Sequence, residues 1–168
     1  MTWLIYVIGT ILGVIVLDQG TKWLIVRYLY EGQKVLIPHV FRFTYVENRG
    51  MAFGLLSEHR WVFLILATVG IAAVFFYLAK YVNTHMGRVS LALVVGGGIG
   101  NMIDRLSLGY VIDFLDFCAF PNLWMWVFNV ADAAVCVGAA LFLLDLILTL
   151  IREKKKKDTP AEKEANNG

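Results

Sequence analysis

The sequence predicts an all-α integral membrane protein: four transmembrane helices joined to a small extracytoplasmic loop domain that contains β-strands. Three observations lead there. Of the 168 residues 59% are apolar and 17% charged, with a mean hydropathy of +0.68, whereas a soluble domain has about 45–50% apolar and about 25% charged residues. Four apolar stretches are long enough to cross a bilayer. Between the first and second, Phe41, Phe43 and Tyr45 alternate with Arg42 and Thr44, which is the period of a half-exposed strand.

The first span begins at Trp3–Leu17 and continues through Asp18 and Lys22 into Trp23–Tyr30; with no basic residue before it and no small-residue cleavage signal after it, it reads as a retained anchor. The outer loop follows as residues 31–60, with its strands and a short segment, Ser57–Trp61, suited to capping the next span or lying at the headgroups. Trp61–Ala79 is a second span without a single charge. Val89–Ile103 is the third, ending at Asp104 and Arg105, and Trp124–Ile151 is the fourth, interrupted only by Asp132 and Asp145. Residues 1–151 form the four-helix domain and residues 152–168 a basic, disordered tail. Arg152 and Lys154–Lys157 are the dominant basic cluster, so the C-terminus is expected in the cytoplasm and, with an even number of spans, the N-terminus too. Lys80, His85 and Arg88 in the second hairpin agree; Lys34, Arg42 and Arg49 in the outer loop pull weakly the other way.

A net charge of +2, with the one basic block confined to a tail, disfavours nucleic-acid binding. Cys118 and Cys136 lack the partners of a disulfide framework or a metal site and read as packing residues. No metal or organic cofactor is implied.

Charges inside spans are costly, so each one is a functional hypothesis. At about 1.5 Å of rise per residue, Asp132, Asp104 and Asp18 all come to the outer boundary, and the loop after Ser107 adds Asp113 and Asp116 beside them. Asn101, Asp104 and Arg105 share one face of the third span, Asn129 and Asp132 one face of the fourth, and Asp18 and Lys22 have the order of an i,i+4 ion pair. Gly96, Gly97, Gly98 and Gly100 allow another backbone, of a helix or of a substrate, close to the third span, and helix packing alone would account for them. There is no Ser/His pair and no HExxH, which leaves paired carboxylates: held together, they cannot both ionise easily, so one keeps a proton while the other draws one from water. Asp132 is one of the pair on this reading, and Asp104, Asp113 and Asp116 remain alternatives for the other. The competing readings are acids that merely pair with Lys22 and Arg105 to hold helices together, and a proton or ion carrier. A carrier calls for acids spread through the membrane depth, where only Asp145 lies toward the cytoplasmic half.

As a set, Asp18-Gln-Gly-Thr-Lys22, Glu47-Asn-Arg-Gly-Met-Ala-Phe-Gly54, Gly97-Gly-Ile-Gly-Asn-Met-Ile-Asp-Arg105, Gly109-Tyr-Val-Ile-Asp-Phe114 and Phe128-Asn-Val-Ala-Asp132 resemble the lipoprotein signal peptidases (signal peptidase II), from the first span to the end of the fourth. The resemblance implies an intramembrane aspartic endopeptidase that cuts bacterial prolipoproteins on the N-terminal side of a diacylglyceryl-modified cysteine, in the plasma membrane and near its outer face. It implies Asp113 and Asp132 as the catalytic pair. Asn101, Asp104, Arg105 and Asn129 then line or support the site, Asp18 and Lys22 support the architecture beside it, and Asn48, Gly50, Ala52, Phe53 and Gly54 belong to a loop folded over the substrate. The partners expected are lipid-modified signal peptides and membrane phospholipid, with the protein acting as a monomer.

Overall fold

The computed structural model describes residues 2–49, 60–119 and 126–165. Among them are helices α1 (Thr2–Leu29), α2 (Arg60–Tyr81), α3 (His85–Ser107) and α4 (Val130–Ala165), and strands β1 (Gln33–Ile37), β2 (Phe41–Asn48), β3 (Val111–Phe117) and β4 (Val127–Phe128). Among the described residues three helical stretches are long and apolar enough to cross a membrane, Trp3–Leu29, His85–Ser107 and Val130–Lys155, so a fourth span is not established. In α2 the stretch of that character is the shorter Thr68–Tyr81. The fold is therefore mostly helical with a small antiparallel sheet.

The helices are apolar outside as well as inside. Along α1, Val7, Val14, Asp18, Lys22 and Ile25 are buried at spacings of one helical face, while Ile5, Leu12, Val16, Leu17 and Trp23 on other faces are exposed. Surface of that kind has its low-energy environment in lipid, where helices satisfy their own backbone groups.

Helix α3 is central, packed on α1, α2 and α4. Its glycines set the distances: a Cβ on Gly96 would meet Val14 of α1 at 2.9 Å, one on Gly98 would meet Ile71 of α2 at 2.9 Å, and one on Gly97 would collide with the Ala131 carbonyl of α4. Each glycine admits a different neighbour, so the run serves helix packing. At the other end of α3, the Thr84 side chain caps the helix by accepting from the Gly87 amide and donates to Asp145 of α4 at 2.6 Å. Asp145 is thus a buried, bonded residue at the end of the bundle away from the other acids.

The sheet differs from the expected loop domain. Its order is β1-β2-β3-β4, all antiparallel, so two strands come from the interval after α1 and two from the interval between α3 and α4. Asp113 and Asp116 accordingly lie on a strand, not in a loop: β3 pairs with β2 and β4 on its two sides, and its Ile112 and Phe114 pack with Ile25 of α1. Gly109, at φ 86°, makes the turn from α3 into β3 in a conformation that favours glycine. Further along the chain, α4 continues through Arg152 and the lysines to Ala165, where a disordered tail was expected; Arg, Glu, Lys and Ala are good helix formers and extend a helix already nucleated by its apolar half. Cys136 is exposed on α4, and Cys118 partly so, so neither is the core packing residue expected. Of Ser57–Trp61, residues 57–59 and the Trp61 side chain lie outside the described residues.

Candidate active site

Two layers of polar residues meet where α1, α3, α4 and β3 converge. The inner layer is built on Lys22. Its Nζ donates to Asp18 Oδ2 at 2.8 Å, Asp104 Oδ2 at 2.9 Å and Asn101 Oδ1 at 3.2 Å, which uses all three ammonium protons. Both carboxylates are themselves filled: Asp18 also accepts from the Ala131 amide at 2.9 Å, and Asp104 from the Ile112 amide at 3.0 Å and Gln19 Nε2 at 2.8 Å. These acids tie α1 to the first turn of α4 and α3 to the start of β3. All of Asp18, Lys22 and Asp104 are at most 2% exposed, and a buried charge is tolerated only with this degree of pairing.

The outer layer holds Asp113 and Asp132. Asn129 precedes the first residue of α4 and forms a capping box with Asp132: the Asp132 amide donates to Asn129 Oδ1 at 2.8 Å, and the Asn129 amide to Asp132 Oδ2 at 3.2 Å. The i,i+3 spacing expected to mark one helix face is therefore the spacing of a cap. Asn129 Nδ2 reaches across to Asp113 Oδ1 at 2.7 Å, so one residue touches both carboxyl groups. Asn101 Nδ2 donates to Asp132 Oδ1 at 2.7 Å while its Oδ1 accepts from Lys22 and from Asn129 at 3.0 Å. From β2, Asn48 Nδ2 donates to Asp113 Oδ2 at 2.8 Å.

Burial raises the Asp113 pKa to about 7, with the Asp132 charge adding to the effect and the Asn48 and Asn129 donors and Lys22 opposing it. A carboxyl group that holds its proton near neutrality, beside a second carboxylate, can give and take protons in one turnover.

The three acids that the residues alone left open are separated by their partners. Asp104 is bonded to Lys22, and Asp116 is turned to Arg42 Nε at 2.5 Å and Thr44 Oγ1 at 3.1 Å on β2. Asp113 is the one whose partners include Asn129, and so the one beside Asp132. Arg105 is partly exposed, and its Nη1 reaches the Asn101 carbonyl at 3.4 Å; Asp18 and Asp104 use Lys22 as their cation. Gly50, Ala52, Phe53 and Gly54 lie outside the described residues. Gln19 was not singled out from the sequence, yet it bonds Asp104, Asp18 and the Gly100 carbonyl; a long amide beside an intramembrane acid was the available signal.

Comparison with known proteins identifies the family. The profile of the family described as signal peptidase (SPase) II matches residues 10–148. A lipoprotein signal peptidase of Halothermothrix orenii is 40% identical over 144 residues, 85% of this chain and 94% of the relative. One from Caldanaerobacter subterraneus subsp. tengcongensis is 46% identical over 130 residues, 76% of this chain and 86% of the relative. A bacterial membrane enzyme solved by the in meso method at 1.9 Å superposes with a TM-score of 0.78 at 29% identity, covering 84% of this chain and 92% of that one. The chain belongs to the signal peptidase II family, membrane aspartic proteases that remove signal peptides from prolipoproteins.

Proposed function

We propose that Asp113 and Asp132 are the catalytic acids of this peptidase, and that it hydrolyses the bond on the N-terminal side of a diacylglyceryl-modified cysteine. The observation that carries the reading is Asn129, whose side chain and backbone hold the two carboxyl groups together at the junction of helix and sheet. The signal peptide enters laterally between four spans, the lipid stays in the bilayer, and the depth of the two acids selects the scissile carbonyl. One carboxylate deprotonates water as the other protonates the tetrahedral oxygen or the departing amine. Asn101 and Asn129 fix the acids, the Lys22 cluster fixes Asn101, Asn48 orients Asp113, and Arg105 with Gly50, Ala52, Phe53 and Gly54 keep the substrate-binding or support role that the family resemblance implies.

Four spans with both termini in the cytoplasm and the dyad near the outer face of the plasma membrane complete the reading, because the lysines after Arg152 belong on the cytoplasmic side and attract anionic phospholipid there. The partners described for both acids belong to the same chain, in keeping with a reading in which the protein acts as a monomer and without a cofactor.

The test is a gel-shift cleavage assay in detergent with lipidated and unlipidated prolipoprotein. Wild type should cleave only the lipidated form, and Asp113→Asn and Asp132→Asn should each lower the rate by about 10³-fold or more. Wild-type cleavage by either folded variant overturns the assignment.

A further inference from the structure

Lys22 and Trp23 are neighbours in α1 that face different ways. Lys22 is buried in the polar layer that holds Asn101 and, through it, Asp132, whereas Trp23 is 59% exposed, on the side of the helix turned away from α3 and α4. The same side carries Leu12 and Val16, both exposed, and Gly20, where a Cβ would have nothing within 4 Å. One turn beyond Trp23, the Arg27 guanidinium carbon lies 5.7 Å from the centre of the Trp23 ring and 5.8 Å from that of the exposed Tyr28. Among the described residues Arg27 makes no ion pair.

Helical rise gives this cluster a level. Trp3 and Trp23, His85 and Arg105, and Asp132 and Arg152 are each separated by about 20 residues, roughly 30 Å of helix, which is the thickness of a bilayer's hydrocarbon core. Contacts tie the helices to common levels. At one end Arg88 lies over the Trp3 ring at 4.6 Å and the Tyr6 hydroxyl meets His85 Nδ1 at 2.9 Å; at the other Asp18 accepts from the amide of Ala131, next to Asp132. A hydrocarbon core that runs from Trp3 to Trp23 leaves Arg27 among the headgroups, roughly 8 Å of rise beyond Lys22.

We propose that Arg27, with Trp23 and Tyr28, binds the phosphate of a membrane phospholipid whose chains lie along Leu12 and Val16, and that this contact fixes the depth of the catalytic acids. The inference rests on Asp113 and Asp132 being catalytic. A guanidinium presents a planar fork of donors that matches a phosphate, and here two rings hold it at the top of an apolar stripe. Because Lys22 and Trp23 share one helical turn, the height at which lipid holds Trp23 is passed to the Lys22 layer and to Asp132. The phosphate separates this ligand from the diacylglyceryl anchor of the substrate, which carries none.

The experiment reads binding and depth separately, on the full chain. In detergent, dioctanoyl-phosphatidylglycerol should raise the wild-type melting temperature by about 3 °C or more, and dioctanoylglycerol or inorganic phosphate should not. Arg27→Gln should lose the rise, while Lys34→Gln in the outer loop should keep it. A rise retained by Arg27→Gln, lost in Lys34→Gln or matched by inorganic phosphate overturns the site. In detergent, where no bilayer sets a depth, Trp23→Leu/Arg27→Gln should match wild-type kcat. In liposomes of dioleoyl-phosphatidylcholine and dioleoyl-phosphatidylglycerol its kcat should fall about tenfold or more, as the acids and the scissile carbonyl lose their common level; equal rates in the liposomes overturn the link to depth. With Cys118 and Cys136 replaced by serine, Val16→Cys should not cross-link two chains on oxidation in those liposomes, and a cross-linked dimer would mean that a second copy covers this face instead. If Asp113→Asn cleaves normally, the assignment of the dyad is what fails, and the melting temperatures still report the lipid site.

Discussion

Asn129 shows how closely local folding and chemistry are combined. As the cap of α4 it uses its side-chain oxygen and backbone amide on Asp132, and its side-chain NH2 donates to both Asp113 and Asn101. Replacement by leucine should destabilise the helix start by about 1 kcal/mol and lower kcat by a much larger factor than that loss alone implies, measurable by comparing thermal unfolding with turnover. The pH dependence follows from Asp113. A pair that works with one proton between its members loses activity when that proton leaves, and with Asp113 near 7 the rate should fall above about pH 7. Asn48 donates to the Asp113 carboxyl and thereby favours its ionised form. Asn48→Leu should therefore move the alkaline limb to higher pH, by about one unit for the loss of one charge-assisted bond; a limb that stays in place contradicts the role of Asn48.

Helix α3 positions the site by being thin on three sides. A Cβ at Gly97 would run into the Ala131 carbonyl and Val135, whereas one at Gly13 of α1 has nothing within 4 Å. Gly97→Ala should cost about 1–3 kcal/mol by overpacking and displace Asn101 from Asp132, while Gly13→Ala should leave thermal stability equal or slightly raised; equal melting temperatures for the two would contradict this packing. Helices α1 and α3 are also joined through Lys22. Lys22→Met leaves Asp18 and Asp104 facing each other in a buried space, an expected loss of about 3–5 kcal/mol. Adding Asp104→Asn should recover part of it, and the recovery is read from melting temperatures of the single and double variants.

At the level of the whole molecule, the polar layers sit at one end of an otherwise apolar bundle, and Thr84 with Asp145 closes the opposite end. In the proposed orientation the polar layers face outward and the lysine cluster inward. Alkaline phosphatase fused after Lys157 should be inactive in a bacterial host, and active when inserted at Val40 in the β1–β2 hairpin. The reverse pattern would invert the proposed orientation.

Three of the four apolar spans, the motifs and the convergence of Asp18, Asp104 and Asp132 were legible in the residues because hydrophobic length and helical rise are one-dimensional quantities. So was the strand at Phe41–Tyr45, through its alternation. The choice among Asp104, Asp113 and Asp116 was not, since it depends on which cation or amide each acid meets across the fold: Lys22 from α1, Asn129 from the start of α4, or Arg42 from β2. The same holds for the sheet, whose second half joins β2 only after α3 has returned the chain to the same end of the bundle. Local sequence carries periodicity and caps; the pairing of charges and the register of strands are long-range contacts, and they exist only once the helices have packed.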